Sequence, residues 1–515
     1  MKLSERLIVI PALVVVALFI IVLYRSESNY IELKSKLEES NIDVKLPKKF
    51  QRSEKTEKDA EFEPMPKSLA KVIVTEKTTL STTTKTTTIT TTRAPRVNKF
   101  EDMDKYTTNN PRYRSYMEWP PFVTLPPDNP RLADIMGLEI RPELPSWERF
   151  NLQISKQYVY EENSTIIDDL ERDLATQRIV AVEQLGGGMQ LKLLFTFADG
   201  GHGVFKPQRY PKEQDLNPNV LYMMEYERHN AEIAAYHFDR IMGFRRVPPH
   251  VGRKVSISRE LFPLVDEAFM DTFFYSPDGN YCFHGKCRLF CDTHHAFCGN
   301  PDLIEGSVGA WILTSPDYIF QHNFIRSPWK RSYLPNTYAP WENDPFFCVN
   351  FVRETEPFKE GRRIYDAMDC TIFDYIIGNW DRHHYNELKV FANDSTNGII
   401  HFDNGRGFGR ADQDEPSILK PLEQCCIVRL STFNKLYEFH AGPRPLSDLM
   451  RESLKKDPLY PVLTEPHLLA MDRRVEGVLD VIRRCVQANL PAAVFLDDIL
   501  QTYFSSNFTK KFKRQ

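Results

Sequence analysis

Two acidic motifs about twenty residues apart contain the side chains best suited to chemistry. They are Gly378-Asn379-Trp380-Asp381-Arg382-His383-His384-Tyr385-Asn386 and His401-Phe402-Asp403-Asn404-Gly405-Arg406-Gly407-Phe408-Gly409. Phosphoryl transfer asks a protein for one carboxylate that orients and deprotonates the attacking hydroxyl and another that holds a metal on the phosphates. Asp381 fits the first role and Asp403 the second. Asp381 and Asn386 repeat the D-x-x-x-x-N spacing of kinase catalytic loops, and Asp403-Asn404-Gly405 stands where a D-F-G is expected. Either string alone is more often a turn than an active site. Their pairing behind a helix is what favours chemistry.

The elements that must hold these residues can be read around them. Residues 365–377 are apolar at helical spacing and stop at Gly378, so the catalytic-loop candidate begins at a helix end. Residues 398–402 read as a short strand feeding Asp403. Upstream, 189–197, the turn 198–201 and 203–207 read as a β-hairpin with Lys206 ending its second strand. That lysine is either a solvated edge residue or the cation that pairs nucleotide phosphates and a helical carboxylate. The preceding Gly186-Gly187-Gly188 offers backbone N–H groups to phosphate without G-x-G-x-x-G spacing. Residues 226–242 form an amphipathic helix ending at Gly243, with Glu227 and Glu232 on it, five positions apart and offset around the axis. A strand lysine followed by a helical glutamate is the order of a kinase small lobe. A last helix, about 472–489, buries Val475, Val478, Leu479, Ile482 and Val486.

Both ends of the chain differ from this middle. Leu7 to Tyr24 is an uncharged apolar run of 18 preceded by Lys2 and Arg6, long enough to cross a bilayer with residues 1–6 in the cytosol. The run ends in Val22-Leu23-Tyr24-Arg25 without a small-residue exit, which favours an uncleaved type II anchor over a cleaved signal peptide. Residues 25–130 are polar, Thr-rich at 75–92 and Pro-rich at 119–130, a composition expected to remain a disordered stem. The remainder divides into a small lobe with a Cys-rich insert (131–312), a large lobe (313–505) and a tail (506–515). With 66 basic and 70 acidic residues and a net charge of −4, no basic excess argues for nucleic acid as partner. Sequons at Asn163, Asn393 and Asn507 are compatible with a lumenal route.

All nine cysteines lie in the part expected to fold. Four are crowded at Cys282, Cys287, Cys291 and Cys298 with C-x4-C-x3-C-x6-C spacing. Zinc or disulfides would explain the crowding; the missing C-x-x-C knuckle and an oxidising lumen favour disulfides, for which four cysteines allow three connectivities. Adjacent Cys425 and Cys426 should each seek a distant partner, with Cys348 and Cys485 available. Cys370, in a helix, is left over.

With these pieces placed, the chain resembles the Golgi casein kinase group called family with sequence similarity twenty, over about residues 187–489. The resemblance rests on Tyr226-Glu227-Arg228-His229-Asn230-Ala231-Glu232, Phe244-Arg245-Arg246-Val247-Pro248-Pro249, Ile304-Glu305-Gly306-Ser307, Asn379 through Tyr385, Phe402 through Gly409 and Gln424-Cys425-Cys426. The Cys282-x4-Cys287-x3-Cys291 spacing and the wording of Asp403 through Gly409 look like the protein-kinase branch rather than the xylose-kinase branch. The resemblance implies an α+β, disulfide-stabilised, atypical bilobal kinase fold with a β-rich small lobe and a mainly helical large lobe. It implies ATP with Mn2+ or Mg2+, and secreted acidic proteins phosphorylated in Ser-x-Glu. It also implies a Golgi lumenal location with secretion after stem cleavage, and a homodimer or a heterodimer with a related pseudokinase. Carried residue by residue, it makes Asp381 the base and Glu227 and Asp403 the metal ligands. Gln190 and Lys206 touch the phosphates, and Gly309, Ala310, Trp311 and Ile312 line the adenine site. It pairs Cys282 with Cys298, Cys287 with Cys291, Cys348 with Cys425, and Cys426 with Cys485.

One position departs from the family pattern. After Asp-Arg-His-His-Tyr the family carries Glu, whereas this chain has Asn386 followed by Glu387. Asn386 could coordinate metal, Glu387 could swing in through a local shift, or nucleotide affinity could be lower. Glu227 argues against the family's pseudokinase, which carries Gln there. A catalytically idle activator and a xylose kinase of proteoglycan linkers are therefore the alternatives to a protein kinase. For an acidic acceptor, Arg326, Lys330 and Arg331 near Trp329 and Tyr333 are either a recognition patch or a basic surface loop.

Overall fold

The computed structural model describes residues 96–117, 129–186, 189–217, 226–313, 322–332, 337–359, 361–388, 398–496 and 498. The alternating apolar strands gather first. Strands β1 (Ile179–Gln184), β2 (Leu193–Phe197), β3 (His202–Pro207), β8 (Leu303–Ala310) and β4 (His250–Ser256) form one antiparallel sheet in that order. Phe195 and Phe205 stack on its covered face with centroids 4.7 Å apart. Lys206, the next residue of β3, therefore projects from the opposite face. Helix α3 (His229–Met242) packs on β4 and β8 and is buried at every position from His229 to Asp239, which is why it carries Ala231, Ala234 and Ala235. In front of the sheet lie α1 (Ser146–Gln153) and α2 (Thr165–Thr176).

The helical part is organised on α4 (Arg363–Ile377) and α7 (Glu465–Ala488), with α5 (Leu430–Ala441) and α6 (Leu446–Leu454) packed on α7. Phe238 of α3 stacks on Phe373 of α4 at 5.4 Å, joining the helical part to the sheet side. Two further strands, β9 (His322–Arg326) and β10 (His384–Leu388), pair antiparallel behind the catalytic-loop motif. A parallel pair, β11 (Val428–Arg429) and β12 (Phe495–Leu496), closes the far end. The Cys-rich insert is the small sheet β5 (Phe273–Tyr275), β6 (Tyr281–Phe283) and β7 (Phe297–Cys298).

Buried charge also ties the two parts together. Asp366 of α4 is fully buried and accepts Arg246, arriving after α3, at 3.0 Å, Arg362 at 3.0 Å and Arg429 at 2.5 Å. Burial would raise its carboxyl, but these three guanidinium groups outweigh burial and hold it far below the usual range. Asp369, one turn on, pairs with Arg429 and accepts the Thr432 hydroxyl at 2.7 Å.

The cysteines pair as Cys282–Cys298, Cys287–Cys291, Cys348–Cys425 and Cys426–Cys485, with Cys370 free and buried in α4. Cys426 has a positive φ of 48°, so the backbone turns between the two adjacent cysteines and sends them to different partners. These are the pairings the family resemblance implied, and disulfides displace zinc as the reading of the crowded four.

Several sequence expectations are corrected. The stretch assigned to a disordered stem is folded over residues 96–117, with Phe100, Met103, Tyr106 and Met117 buried. Its few apolar residues are diluted by the Thr tract in any composition average, yet they pack against α5, α7 and β12. Arg96 donates to the Phe439 carbonyl at 2.7 Å, and Tyr106 meets Phe495 at 5.6 Å. Residues 398–402 make no strand: only Ile400 bridges Asn386, because the Gly398 and His401 N–H groups go to the Lys156 and Arg246 carbonyls. The last helix begins at Glu465, seven residues before its expected start, with Pro466 in its first turn. The anchor Leu7 to Tyr24, most of the stem, Asn393 and Asn507 lie outside the described residues. Among the described residues, no helix is long and apolar enough to cross a membrane.

Two outcomes follow. Asp366→Asn should lower stability by about 3–5 kcal/mol, because it leaves buried guanidinium groups without their anion; urea unfolding at neutral pH reads this, and a loss below about 1 kcal/mol would show that solvent replaces the carboxylate. Thiol titration should find no reactive cysteine in the native chain and a single one, Cys370, after unfolding without reductant. A second reactive thiol would contradict the pairing.

Candidate active site

The site is built where the two acidic motifs meet the sheet. Helix α4 ends at Gly378 in the left-handed conformation, φ 73°, and the chain turns sharply into the catalytic-loop motif. Asn379 secures that turn: its amide donates to Asp374 Oδ1 at 3.0 Å, while its Oδ1 accepts the Asp381 N–H at 3.1 Å. Arg382 then spans both motifs. Its Nε and Nη2 donate to Asp374 at 2.9 and 2.8 Å, Nη2 also reaches Asn404 Oδ1 at 2.9 Å, and Nη1 donates to the Phe402 carbonyl. Burial would lower its pKa, but Asp374 outweighs burial and raises it. With the backbone fixed on both sides, the Asp381 carboxylate projects into a cleft, its Oδ1 3.5 Å from His383 Nδ1 and its Oδ2 3.8 Å from Arg406 Nε.

Facing it, the Lys206 ammonium lies 2.8 Å from Glu227 Oε2, 2.5 Å from Glu232 Oε1 and 2.8 Å from Asp403 Oδ1. Burial would depress this lysine; the three carboxylates prevail and hold it well above its ordinary value. Asp403 is held well below the usual carboxylate range by Lys192 and Lys206. Burial pushes Glu232 up, and Lys206 and His250 overcome it, so its carboxyl is lowered. Asp403 takes a positive φ of 59°, a conformation Asp tolerates in tight turns, and Gly405 follows because a Cβ there would come within 2.9 Å of the Glu227 Cβ.

The three carboxylates offer oxygen atoms within 4.8 Å of one another, already gathered around a cation. An all-oxygen anionic donor set of this kind suits a hard divalent ion such as Mn2+ or Mg2+. Glu227, Asp381, Asn386, Asp403 and Arg406 line one cleft, so the structure brings the expected base and metal residues together. Gln190 accepts the Glu227 N–H through Oε1 at 3.1 Å. Gly309 and Ala310 end β8 two strands from β2, and Trp311 and Ile312 follow. Asn151 of α1 braces that exit, donating to the Trp311 carbonyl at 3.3 Å and accepting from Leu313 N–H at 2.9 Å. Gly309 has no room for a side chain, since a Cβ would lie 2.4 Å from His250 Nε2. Gly187 and Gly188 lie outside the described residues.

Three readings change here. Glu227 is not on the helix: α3 starts at His229, and the extended segment before it is held by the Arg228 N–H bond to the Gly405 carbonyl at 2.7 Å. The helix-borne glutamate is Glu232, which takes Lys206 and both oxygens of which accept the Asn404 N–H at 3.1 Å. Glu232 was not among the residues expected at the site; a carboxylate one turn inside a helix whose Ala231, Ala234 and Ala235 mark close packing was the available signal. Glu387 cannot substitute for the missing glutamate. It is fully buried and held bidentately by Arg363, at 3.1 Å on each oxygen, on the strand face opposite Asn386.

Beside Asp381 a second, open groove is lined by Trp329, Arg331, Trp341, Trp380, Ser417 and Tyr385. Arg331 lies over the Trp380 ring at 4.4 Å and the Trp341 ring at 5.2 Å, within 3.4 Å of Glu342. Gln424 fixes the wall, accepting from Trp329 Nε1 at 2.9 Å and donating to the Trp341 carbonyl at 2.8 Å. Arg326 is on β9 and exposed, and is not among the residues lining this groove; Tyr333 lies outside the described residues.

Known proteins resemble this chain in sequence and fold. The family profile described as Golgi casein kinase, C-terminal, Fam20 matches residues 145–494. The chain is 44% identical over 405 residues to the extracellular serine/threonine protein CG31145 of Drosophila melanogaster, covering 78% of this chain and 75% of that one. It is 46% identical over 357 residues to the human extracellular serine/threonine protein kinase FAM20C, covering 69% of this chain and 60% of the human protein. A crystal structure of the Golgi casein kinase with Mn/ADP bound superposes with a TM-score of 0.68 at 39% identity, covering 72% of this chain and 86% of the other. The chain belongs to the Fam20 family of Golgi casein kinases.

Proposed function

We propose that this chain is a secretory-pathway serine/threonine protein kinase that transfers the γ-phosphate of ATP to secreted acidic proteins at Ser-x-Glu. The observation that supports it most is the convergence of Glu227, Glu232 and Asp403 on Lys206, with Glu227 and Asp403 lining the cleft that Asp381 enters. Asp381 orients the acceptor hydroxyl and takes its proton. Glu227 and Asp403 would hold the metal, which when bound would offset the charge of the phosphates. Lys206, steadied by Glu232, binds phosphate oxygens; Gln190 supports the phosphate end, and Gly309 through Ile312 take the adenine. Asn386 supplies a neutral amide where the family has a carboxylate. In this reading residues 131–312 are the small lobe and 313–505 the large lobe, hung behind a type II anchor at 7–24 in the Golgi lumen. The four disulfides argue for an oxidising compartment, and Asn163, exposed in the turn before α2, suits a glycan. Glu227 speaks against an idle pseudokinase, although pairing with such a relative, or with a second copy, fits the family.

Asp381→Ala should cost roughly 10²–10⁴-fold in transfer while Mn–ADP binding and thermal stability persist. Asp403→Ala should instead abolish metal-dependent nucleotide binding, read by calorimetry. Transfer by Asp381→Ala within about tenfold of the parent, or intact Mn–ADP binding by Asp403→Ala, would remove these assignments.

The groove beside Asp381 favours an acidic peptide over a sugar, because Arg331 is a fork suited to a carboxylate. Arg331→Gln should raise KM for a Ser-x-Glu peptide by roughly 10–100-fold, the worth of one charged hydrogen bond, while leaving KM for a Ser-x-Gln peptide and basal ATP hydrolysis near the parent values. Equal losses on both peptides, or preference for a xylosylated acceptor, would overturn this acceptor assignment.

A further inference from the structure

The acidic cleft and the aromatic groove meet at three shared residues, Asp381, Arg382 and His383. A donor phosphate held by the cleft and an acceptor hydroxyl lying in the groove would come together there. Each nitrogen of Arg382 is already engaged with Asp374, Asn404 or the Phe402 carbonyl. His383 differs. Its Nδ1 donates to the Asp381 carbonyl at 2.8 Å and lies 3.5 Å from Asp381 Oδ1, which fixes the ring and leaves Nε2 without a protein partner among the described residues. The side chain is 38% exposed.

We propose that His383 is a further catalytic residue, which as an imidazolium donates from Nε2 to the transferring phosphoryl group and offsets the charge growing on its oxygens. This rests on the kinase reading of the site. In the step, the acceptor oxygen bonds to the γ-phosphorus as the bond from that phosphorus to the bridging oxygen breaks. The electron pair leaves on the β-phosphate, and the hydroxyl proton passes to Asp381. His383 gains and loses no covalent bond; it supplies a charged donor at the place where charge builds.

The surroundings fit a ring that carries charge. Asp381, Arg382 and His384 face it from its own loop, Asp403 and Arg406 from the Asp-Asn-Gly turn, Glu227 from ahead of α3, Asp374 from the end of α4, and Arg331 across the groove. The His384 ring is edge-on at 4.4 Å. The bond to Asp381 raises the His383 pKa above the ordinary histidine value, against partial burial. Asp381 thus sits between one permanent cation, Arg406, and one that titrates. Since the charged ring is the active form, activity is full below the His383 pKa and declines as pH rises through it.

The test measures kcat and KM for Mn–ATP with a Ser-x-Glu peptide from about pH 5.5 to 9, for the full chain, His383→Gln and His383→Lys. The parent should show an alkaline decline. His383→Gln should lose roughly 10²–10³-fold in kcat with KM for Mn–ATP little changed, and without that decline. His383→Lys should recover much of the rate and move the decline to higher pH. Thermal midpoint and Mn–ADP binding confirm that each variant is folded. A His383→Gln rate within about twofold of the parent, persistence of the decline in that variant, or a lysine variant no better than glutamine would overturn the proposal. A parent chain that phosphorylates no peptide would overturn the kinase reading itself, and is recognised before any variant is compared.

Discussion

The geometry of the site depends on one guanidinium. Arg382 holds Asp374 at the end of α4, Asn404 in the metal-side turn and the Phe402 carbonyl at once, so the loop carrying Asp381 and the turn carrying Asp403 are fastened to the same group. Two loops not fastened to each other would be free to shift by more than phosphoryl transfer tolerates, since a positional error of about 1 Å can cost two orders of magnitude. A planar, permanently charged fork is suited to such a joint because several acceptors are satisfied in one plane. Asp374 is buried, and its charge is met by Arg382 on both oxygens, so the joint does not leave an orphaned ion in the interior.

The second constraint reaches from the sheet. Lys206 draws Glu227, Glu232 and Asp403 to one point, and Glu232 also receives the Asn404 N–H. The buried helix α3 therefore communicates with both the strand and the metal-side turn. Three carboxylates around one ammonium carry an excess of negative charge, which a divalent cation would offset. Asp403, about half exposed while Glu232 is buried, is the oxygen donor most accessible to an incoming ion. Glu232 is better placed to hold the lysine than to leave it.

Much of this was legible in the sequence, for reasons that can be separated. Helix α4, its Gly378 stop and the motif after it were readable because apolar periodicity, a left-handed cap and acidic spacing coincide there. Lys206 was readable from the hairpin. The disulfide partners were not readable from spacing, which leaves three connectivities for the four clustered cysteines, and came only through the resemblance. Glu227 was placed on a helix because Tyr226 to Met242 continues a helical pattern; the tertiary bond from Arg228 to the Gly405 carbonyl overrides it. The folded segment at residues 96–117 was missed because Phe100 meets His440 of α5 and Arg483 of α7, and Tyr106 meets Phe495 of β12, hundreds of residues away where no local window can see them.

The departure at Asn386 is explained by strand alternation. Residues 386 and 387 point to opposite faces of β10, so the glutamate one position late is on the wrong side and is captured by Arg363 in the interior. Bringing it into the cleft would require a one-residue register slip of β10 against β9, sending the buried Tyr385 and Leu388 each to the opposite face of the strand and out of its packing. The cost of unpacking those side chains and stripping Arg363 of its anion exceeds what one extra ligand could return. The cleft therefore keeps an amide at that place, one negative charge fewer beside Asp403. A neutral oxygen there binds a cation less strongly than a carboxylate but also repels the incoming phosphates less, so the substitution shifts the balance between metal affinity and nucleotide entry without removing either of the carboxylates assigned to the metal.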